Sequence, residues 1–432
     1  MRIPDRPLAL LRAPWAPLAL LGVVCVLSLA ARAAWLGNPC SSPCRGLSAH
    51  SLIFDEVYYV NAARRIDGLR VPAKAPYADD PAGEDSNSEH PQLAKLVIAG
   101  AIDLFGDGPF AWRIGSLIFG TLAILGMYAL ALAAGTTAWT ALLAATLMAA
   151  DNLMIVQGRI ATLDIYVMTF MVWAAALYLR GRTVSAGVTL ALGAATKLVA
   201  PSLVAVLVLF ELVRHRRAVV AGAGRALTTC IGVGVLAYLA VLGVFDRIAP
   251  PYDPQTGSTI RSGPIAHTQH MMSYAAGQTS PHGPQGIASY PWDWLVDIKP
   301  INYLEVTVTS GRSNTVTVHF LGLISPPILL LALPALIVGG IIAWRRGEVA
   351  GGVAAAWFLG TWLPFAALSL IWQRTSYLYY MVIVMPGIYL AVATLLTRSP
   401  RLLRWALPPF LLLVAAAAVL AYPFVPLPRI SL

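Results

Sequence analysis

The chain has 432 residues, 58% of them hydrophobic and only 12% charged, with a mean hydropathy of +0.71. Water-soluble domains carry roughly twice that charged fraction, so an ordinary soluble globule is excluded. The net charge of +10 suits anionic lipid headgroups and needs no nucleic acid to explain it.

The apolar runs are continuous rather than alternating with period two, which predicts spanning helices and not a barrel. Spans are expected near 15–34, 112–134, 137–155, 163–180, 184–196, 199–213, 226–245, 321–344, 350–371, 376–396 and 403–421. The fold class is therefore an all-α polytopic membrane protein with about eleven transmembrane helices, read as one integral membrane domain over 1–432. Ala31-Arg32-Ala33 imitates a signal-peptide cleavage site, but the preceding run is of span length and Trp15 and Trp35 suit interfacial anchors, so a retained span is expected.

Basic clusters set the orientation. Arg2, Arg6 and Arg12 precede the first span, and others lie at Arg180/Arg182, Arg214/Arg216/Arg217, Arg345/Arg346 and Arg398/Arg401/Arg404. All five are expected on the cytoplasmic side, with the N-terminus. Segment 183–213 has basic flanks at both ends and must cross an even number of times, as a short hairpin turning at Thr196-Lys197. At about 1.5 Å per residue neither arm spans fully, so Lys197 is expected to stop in the outer half of the membrane, lining a cavity. The same parity places two long loops, 35–111 and 246–320, on the extracytoplasmic face with the turns near Arg159 and Arg374.

The first outer loop carries CSSPC, in which an oxidising compartment permits a Cys40–Cys44 bridge, with free thiols as the alternative. Cys25 and Cys230 fall within spans and read as packing residues. Residues 51–67 suit a helix lying along the interface. Residues 70–88 read as a surface loop, and a second juxtamembrane helix is expected to start near His90-Pro91.

Asp55 and Glu56 are adjacent acids beside a membrane. A carboxylate there can act as a general base towards a hydroxyl, and partial burial raises its pKa towards usefulness. Taken alone, the pair more often solvates a polar helix face or pairs with Arg64 and Arg65. The cations of the same face weigh against that: Arg113, Arg159, Lys197 and Arg374 converge on the outer mouth of the bundle, and their simplest client is a lipid-linked phosphate. Cations that stabilise a phosphate leaving group, with a base for the acceptor, describe group transfer. No HExxH or GxxxxGK pattern occurs, and His267, His270 and His282 suit hydrogen bonding better than a metal. Tyr290, Trp292, Trp294 and Tyr303 of the second loop suit either a sugar or acceptor wall or an interfacial aromatic belt.

Several motifs in order resemble the protein O-mannosyltransferase family of membrane enzymes using polyprenyl-phosphate mannose: FDEVYYVNAARRI, EHPQLAK, PFAWRIGSLIFGTLAILGMYAL, ADNLMIVQGRIATLDIYVMTF, LALGAATKLVAPSL, SYPWDWLVDIKPINYL and RTSYLYYMVIVMPGIYL, across roughly residues 50–395. The resemblance implies the GT-C type fold, Asp55 as catalytic base with Glu56 beside it, and Arg113 in the donor-phosphate environment. His90 and Lys95 fall in the matching juxtamembrane segment. Phosphate contact is extended to Arg159, Lys197 and Arg374, and substrate-site support to Trp292 and Trp294. The implied reaction is inverting transfer of a hexose, mannose by resemblance, to Ser or Thr hydroxyls of translocated proteins in the cell membrane. The partners are the polyprenyl-phosphate donor, an acceptor polypeptide, membrane lipid and the protein translocation machinery. No cofactor is firmly implied, and a divalent metal stays open. HPQLAK departs from the family's HPPLGK, and the second loop matches only in part, which leaves the acceptor open. A related transferase acting on a glycolipid or cell-wall glycan, including the aminoarabinose-transferase type, is the nearest alternative. A transporter is the alternative from another class.

Overall fold

A computed structural model describes residues 13–41, 44–310 and 314–423. Arg2, Arg6 and Arg12 lie outside the described residues. In chain order the helices are α1 (Ala16–Ala33), α2 (Glu56–Ile66), α3 (Leu93–Phe105), α4 (Pro109–Ala133), α5 (Ala138–Ala150), α6 (Asn152–Gln157), α7 (Asp164–Leu179), α8 (Thr183–Ala194), α9 (Ser202–His215), α10 (Val219–Ile248), α11 (Pro264–Gly277), α12 (Pro326–Arg346), α13 (Val349–Trp372), α14 (Met381–Thr397) and α15 (Leu407–Leu420). Two antiparallel pairs complete the list, β1 (Tyr252–Asp253) with β2 (Ser258–Thr259) and β3 (Ile301–Ser310) with β4 (Asn314–Gly322).

Among the described residues, seven helical stretches are long and apolar enough to cross a membrane. The other expected crossings are the shorter α5, α7, α8 and α9, of 13, 16, 12 and 14 residues. At about 1.5 Å per residue, α8 and α9 stop well short of the roughly 30 Å hydrocarbon layer. Their connecting turn carries Lys197 into the lining of a cavity. The arms separate: α8 packs against α7 and α10, whereas α9 packs chiefly against α13. Close helix approach depends on missing side chains. A Cβ on Gly351 of α13 would stand 2.4 Å from the Gly339 carbonyl oxygen of α12, and one on Gly387 of α14 would stand 2.8 Å from that of Ala354.

Two local expectations change. Helix α3 begins at Leu93, not at His90-Pro91, because a proline disfavours helical backbone at the residue before it. Glu89 and His90 thus remain in non-helical chain. The second loop also contains the β3–β4 hairpin, an addition to the all-α reading; its Val/Thr alternation in LEVTVTS and NTVTVHF is strand-forming. The two outer loops are joined by main-chain bonds, Asp85 N–H to Pro250 carbonyl at 2.8 Å and Tyr252 N–H to Asp85 carbonyl at 2.9 Å. Ser280 and Ser289 N–H groups bond similarly to the carbonyls of Gln373 and Ser376.

The strongest fastening of the first loop is buried. Glu56, fully inaccessible, accepts from Arg113 Nε at 2.8 Å and Nη2 at 2.7 Å, and from the N–H groups of Ile53 at 2.7 Å and Ala161 at 2.8 Å. Arg113 also donates to the carbonyls of Leu36, Asn38 and Ser51. Removing one partner of such a pair strands a buried charge, at a cost of about 3–5 kcal/mol. Arg113→Met is therefore expected to lower detergent thermostability strongly, and the double variant with Glu56→Gln to recover part of the loss. A double variant no better than the single one would contradict the pairing.

Cys40 and Cys44 form the disulfide within CSSPC, while Cys25 and Cys230 are free and buried. Alkylation of denatured, unreduced protein followed by mass spectrometry should label two of the four cysteines, and all four after reduction.

Candidate active site

A cavity of about 530 Å³ opens where the first loop, the α8–α9 turn, α11 and segment 373–380 meet. Asp55 lies in its wall at the N-terminal end of α2, preceded by Phe54 at φ +53°. Left-handed backbone is uncommon for a bulky side chain and costs of order 1–3 kcal/mol. Packing holds Phe54 there: its ring stands edge-on to Tyr303 at 4.6 Å and to Tyr379 at 5.8 Å. Tyr303 is fixed in turn by Gln157, whose side-chain amide donates to its hydroxyl at 2.6 Å.

Adjacent positions on a helix point about 100° apart, so Asp55 and Glu56 divide into opposite fates. Glu56 turns inward to Arg113. Asp55 turns to the cavity, half-buried, and no donor among the described residues bonds to its carboxylate. Burial pushes its pKa up to about 7; Lys197 pulls it down and Asp164 pushes it further up.

Lys197 is the nearest cation. Its Nζ lies 2.8 and 2.9 Å from the two Asp164 oxygens and over the rings of Tyr379 at 5.3 Å and Tyr380 at 5.4 Å. Arg374 lines the same cavity and donates to the carbonyls of Ala275 and Gln278, tying it to α11. No carboxylate among the described residues pairs with Arg374. His90 is the fourth expected residue in the lining. Burial, with Lys197, Lys95 and Arg374 nearby, holds its pKa well below the usual value, so its imidazole is neutral.

The other expected residues stand outside the lining. Arg113 is spent on Glu56 and on loop carbonyls. Arg159 donates to the Ala34 carbonyl at 2.6 Å, with its guanidinium beside Phe320 and Tyr422. Lys95 pairs with Asp85 at 2.6 Å and donates to the carbonyls of Asn87 and His90, shaping the loop from behind. Trp292 stacks on Tyr290 at 4.5 Å. Trp294 is buried; its indole donates to Ser289 Oγ, and its ring braces Phe365 and Tyr380, which do line the cavity. His267 bonds to Asp246 and to the Ser88 carbonyl, and His270 to Ser88 Oγ, so both serve as fasteners of α11.

Two carboxylates escaped the sequence reading as site residues. Asp164 opens the apolar helix α7 and holds Lys197; its signal was an acid at the start of a membrane helix, within RIATLD. Glu89 lies in the cavity wall, where the family-like segment begins.

Residues 105–243 match the sequence pattern of the family described as dolichyl-phosphate-mannose-protein mannosyltransferase. A polyprenol-phosphate-mannose–protein mannosyltransferase of Corynebacterium glutamicum is 37% identical over 86 residues, which is 20% of this chain and 16% of that protein's length. The fold matches the S. cerevisiae protein O-mannosyltransferase complex bound to the sugar donor, with a TM-score of 0.66 at 14% identity, over 95% of this chain and 90% of that one. It also matches ArnT of Cupriavidus metallidurans bound to undecaprenyl phosphate, at 0.52 and 19%, over 89% and 60%. For the oligosaccharyltransferase of Archaeoglobus fulgidus the values are 0.54 and 14%, over 95% and 57%. The chain therefore has the GT-C fold, and its resemblance to the protein O-mannosyltransferase family is borne out by the sequence pattern carried in residues 105–243.

Proposed function

We propose that this chain is an inverting membrane glycosyltransferase that moves mannose from a polyprenyl phosphate to Ser or Thr hydroxyls of a polypeptide. The observation that carries this reading is the unpaired, half-buried Asp55 carboxylate opening into a cavity beside Lys197 and Arg374. Such a site joins a base to a phosphate cradle. Asp55 takes the proton from the acceptor hydroxyl as its oxygen attacks the anomeric carbon. The bond from that carbon to the phosphate oxygen breaks, and its electron pair leaves with the polyprenyl phosphate, stabilised by Lys197 and Arg374. With one base and no enzyme nucleophile the displacement is single, and the anomeric configuration inverts.

The geometry supports a narrower phosphate set than charge alone. Lys197 and Arg374 meet the donor, while Arg113 with Glu56 positions α2, and Arg159 secures the end of α1. The reading also places the cavity on the extracytoplasmic side, the N-terminus in the cytoplasm, and the whole of 1–432 in one catalytic domain. An acceptor reaching that face while extended would be supplied by the protein translocation machinery.

Purified protein should transfer labelled mannose from polyprenyl-phosphate mannose to a Ser/Thr-rich peptide. Asp55→Asn is expected to cut the rate by about 10²–10⁴ while donor affinity stays within a few-fold. Lys197→Gln should instead weaken donor binding as well as turnover. Full activity in Asp55→Asn would sink the base assignment.

Acidity gives an independent check. A base whose pKa is raised to about 7 must be ionised to work, so the rate should fall about tenfold per pH unit below that value and level off above it. The raised folded-state pKa also means that ionising Asp55 costs stability. This cost is absent below the unfolded value of 3.8 and complete above about 7. Asp55→Asn should accordingly raise Tm near pH ~8 and leave it unchanged near pH ~4. A pH-independent change in Tm would argue against the buried, ionisable state.

A further inference from the structure

The cavity contains a second carboxylate that the transfer step leaves unused. Glu89 shares the wall with Asp55, but the two lie in different fields. The charges acting most strongly on Asp55 are Lys197 and Asp164, whereas those on Glu89 are Lys95, Asp85 and Asp253. His90, in the same lining, feels cations of both sets, Lys197 and Arg374 together with Lys95. One part of the cavity thus presents a base and cations. The other presents Glu89 and Asn87 with the rings of Tyr58 and Tyr274.

Glu89 is firmly held. The Asn87 side-chain amide donates to its Oε1 at 2.7 Å and to the Tyr77 hydroxyl at 3.0 Å. Asn87 is itself gripped through its carbonyl by Lys95, which Asp85 neutralises. Tyr77 sits at φ +70°, a strained backbone for an aromatic residue, and this posture delivers its hydroxyl to Asn87. The backbone N–H of Glu89 itself also bonds to the carboxylate, and no third donor among the described residues does. A carboxylate oriented by two donors, with lone pairs left over in a cavity that it shares with aromatic side chains, is built to accept hydrogen bonds from an uncharged polyhydroxyl ligand.

We infer that Glu89 reads the hydroxyls of the transferred hexose, in a sugar subsite walled by Tyr58 and Tyr274 and braced by Asn87. The inference rests on the donor-phosphate reading above. With the phosphate at Lys197 and Arg374 and the hexose ring held by Glu89, the anomeric carbon lies between them, where a hydroxyl activated by Asp55 can reach it. The remaining lone pairs of the Glu89 carboxylate accept from sugar hydroxyls, and the apolar edge of the ring packs on tyrosine. A sugar that fails to present the matching hydroxyl leaves a buried carboxylate unpaired, which penalises it far more than lost contact area would. Discrimination among hexoses thereby resides in Glu89, and phosphate affinity in the cations.

The test compares binding of two lipids, polyprenyl phosphate and polyprenyl-phosphate mannose, to the purified full chain in detergent. Glu89→Gln is expected to weaken the sugar-bearing lipid about tenfold and to leave polyprenyl phosphate unchanged. Glu89→Asp, which keeps the charge but withdraws it by one methylene, should recover part of the difference. A set of donors lacking one hydroxyl each supplies the second readout: the donor that wild type binds most weakly should lose its disadvantage in Glu89→Gln. The inference is overturned if Glu89→Gln binds the sugar-bearing lipid undiminished, or if both lipids weaken equally in both variants. Wild-type protein that binds polyprenyl phosphate without preferring the mannosylated form would overturn the subsite alone. Wild-type protein that binds neither lipid would overturn the donor reading with it.

Discussion

The buried pair between Glu56 and Arg113 is the constraint on which the rest of the site depends. Taking two charges out of water costs several kcal/mol apiece, and only complete hydrogen bonding repays it. Here it is complete: Glu56 has four donors, and Arg113 spends its remaining N–H groups on loop carbonyls. The pair joins α2, the second spanning helix, the turn before α7 and both ends of segment 36–51. Because the inner acid is saturated, the outer one next to it can be left bare. Asp55 owes its freedom to its neighbour's confinement.

That division explains what the sequence disclosed and what it withheld. Adjacent acids and two half-length helices joined by a turn at Lys197 were legible, because composition and segment length govern them directly. Lys197 was expected to line a cavity because no twelve-residue arm can carry it across a membrane, and it does line one. The pairing of charges was not legible, since it depends on which helices touch. Arg113, Arg159, Lys197 and Arg374 look alike in a list of outer cations, but Arg113 meets a buried acid, Arg159 meets carbonyls and rings, and only Lys197 and Arg374 reach the cavity. Asp164 was missed for the same reason. An acid at a helix start reads as a favourable first-turn residue, and only its contact with Lys197 reveals the rest. The β3–β4 hairpin was hidden for a different reason: in so apolar a chain, a short alternating Val/Thr run does not stand out from the loop around it.

The aromatic surroundings set the working state of the base. Tyr59, Tyr379 and Tyr380 crowd Asp55, and Phe54 seals its flank against Tyr303. Excluding water raises the carboxylate's pKa, and Lys197 limits the rise. Without the lysine the base would hold its proton at neutral pH; without burial it would be too weak a base to help. Asp164 tempers this balance by sharing the lysine's charge, so in the proposed mechanism a single ion pair serves both the leaving group and the base.

Depth links this chemistry to the membrane. A phosphate carried on a polyprenyl chain stays near the headgroup level, and a protein reaching it must bring cations down to meet it. Shortened helices do this at the least cost. Because α8 and α9 end early, the turn between them is non-helical where it lines a cavity, which is the circumstance in which irregular backbone is tolerated at membrane depth. Lys197 arrives there already paired, so its charge is not stranded in the empty site. When an anion enters, Lys197 can share its donors with the phosphate while keeping Asp164, and the site need not reorganise around a newly exposed charge. Arg374, anchored by carbonyls and not by an acid, keeps its full charge for the same ligand. In the proposed mechanism the two cations thus divide the task, one moderated by its acid and sharing its field with Asp55, the other left for the departing phosphate.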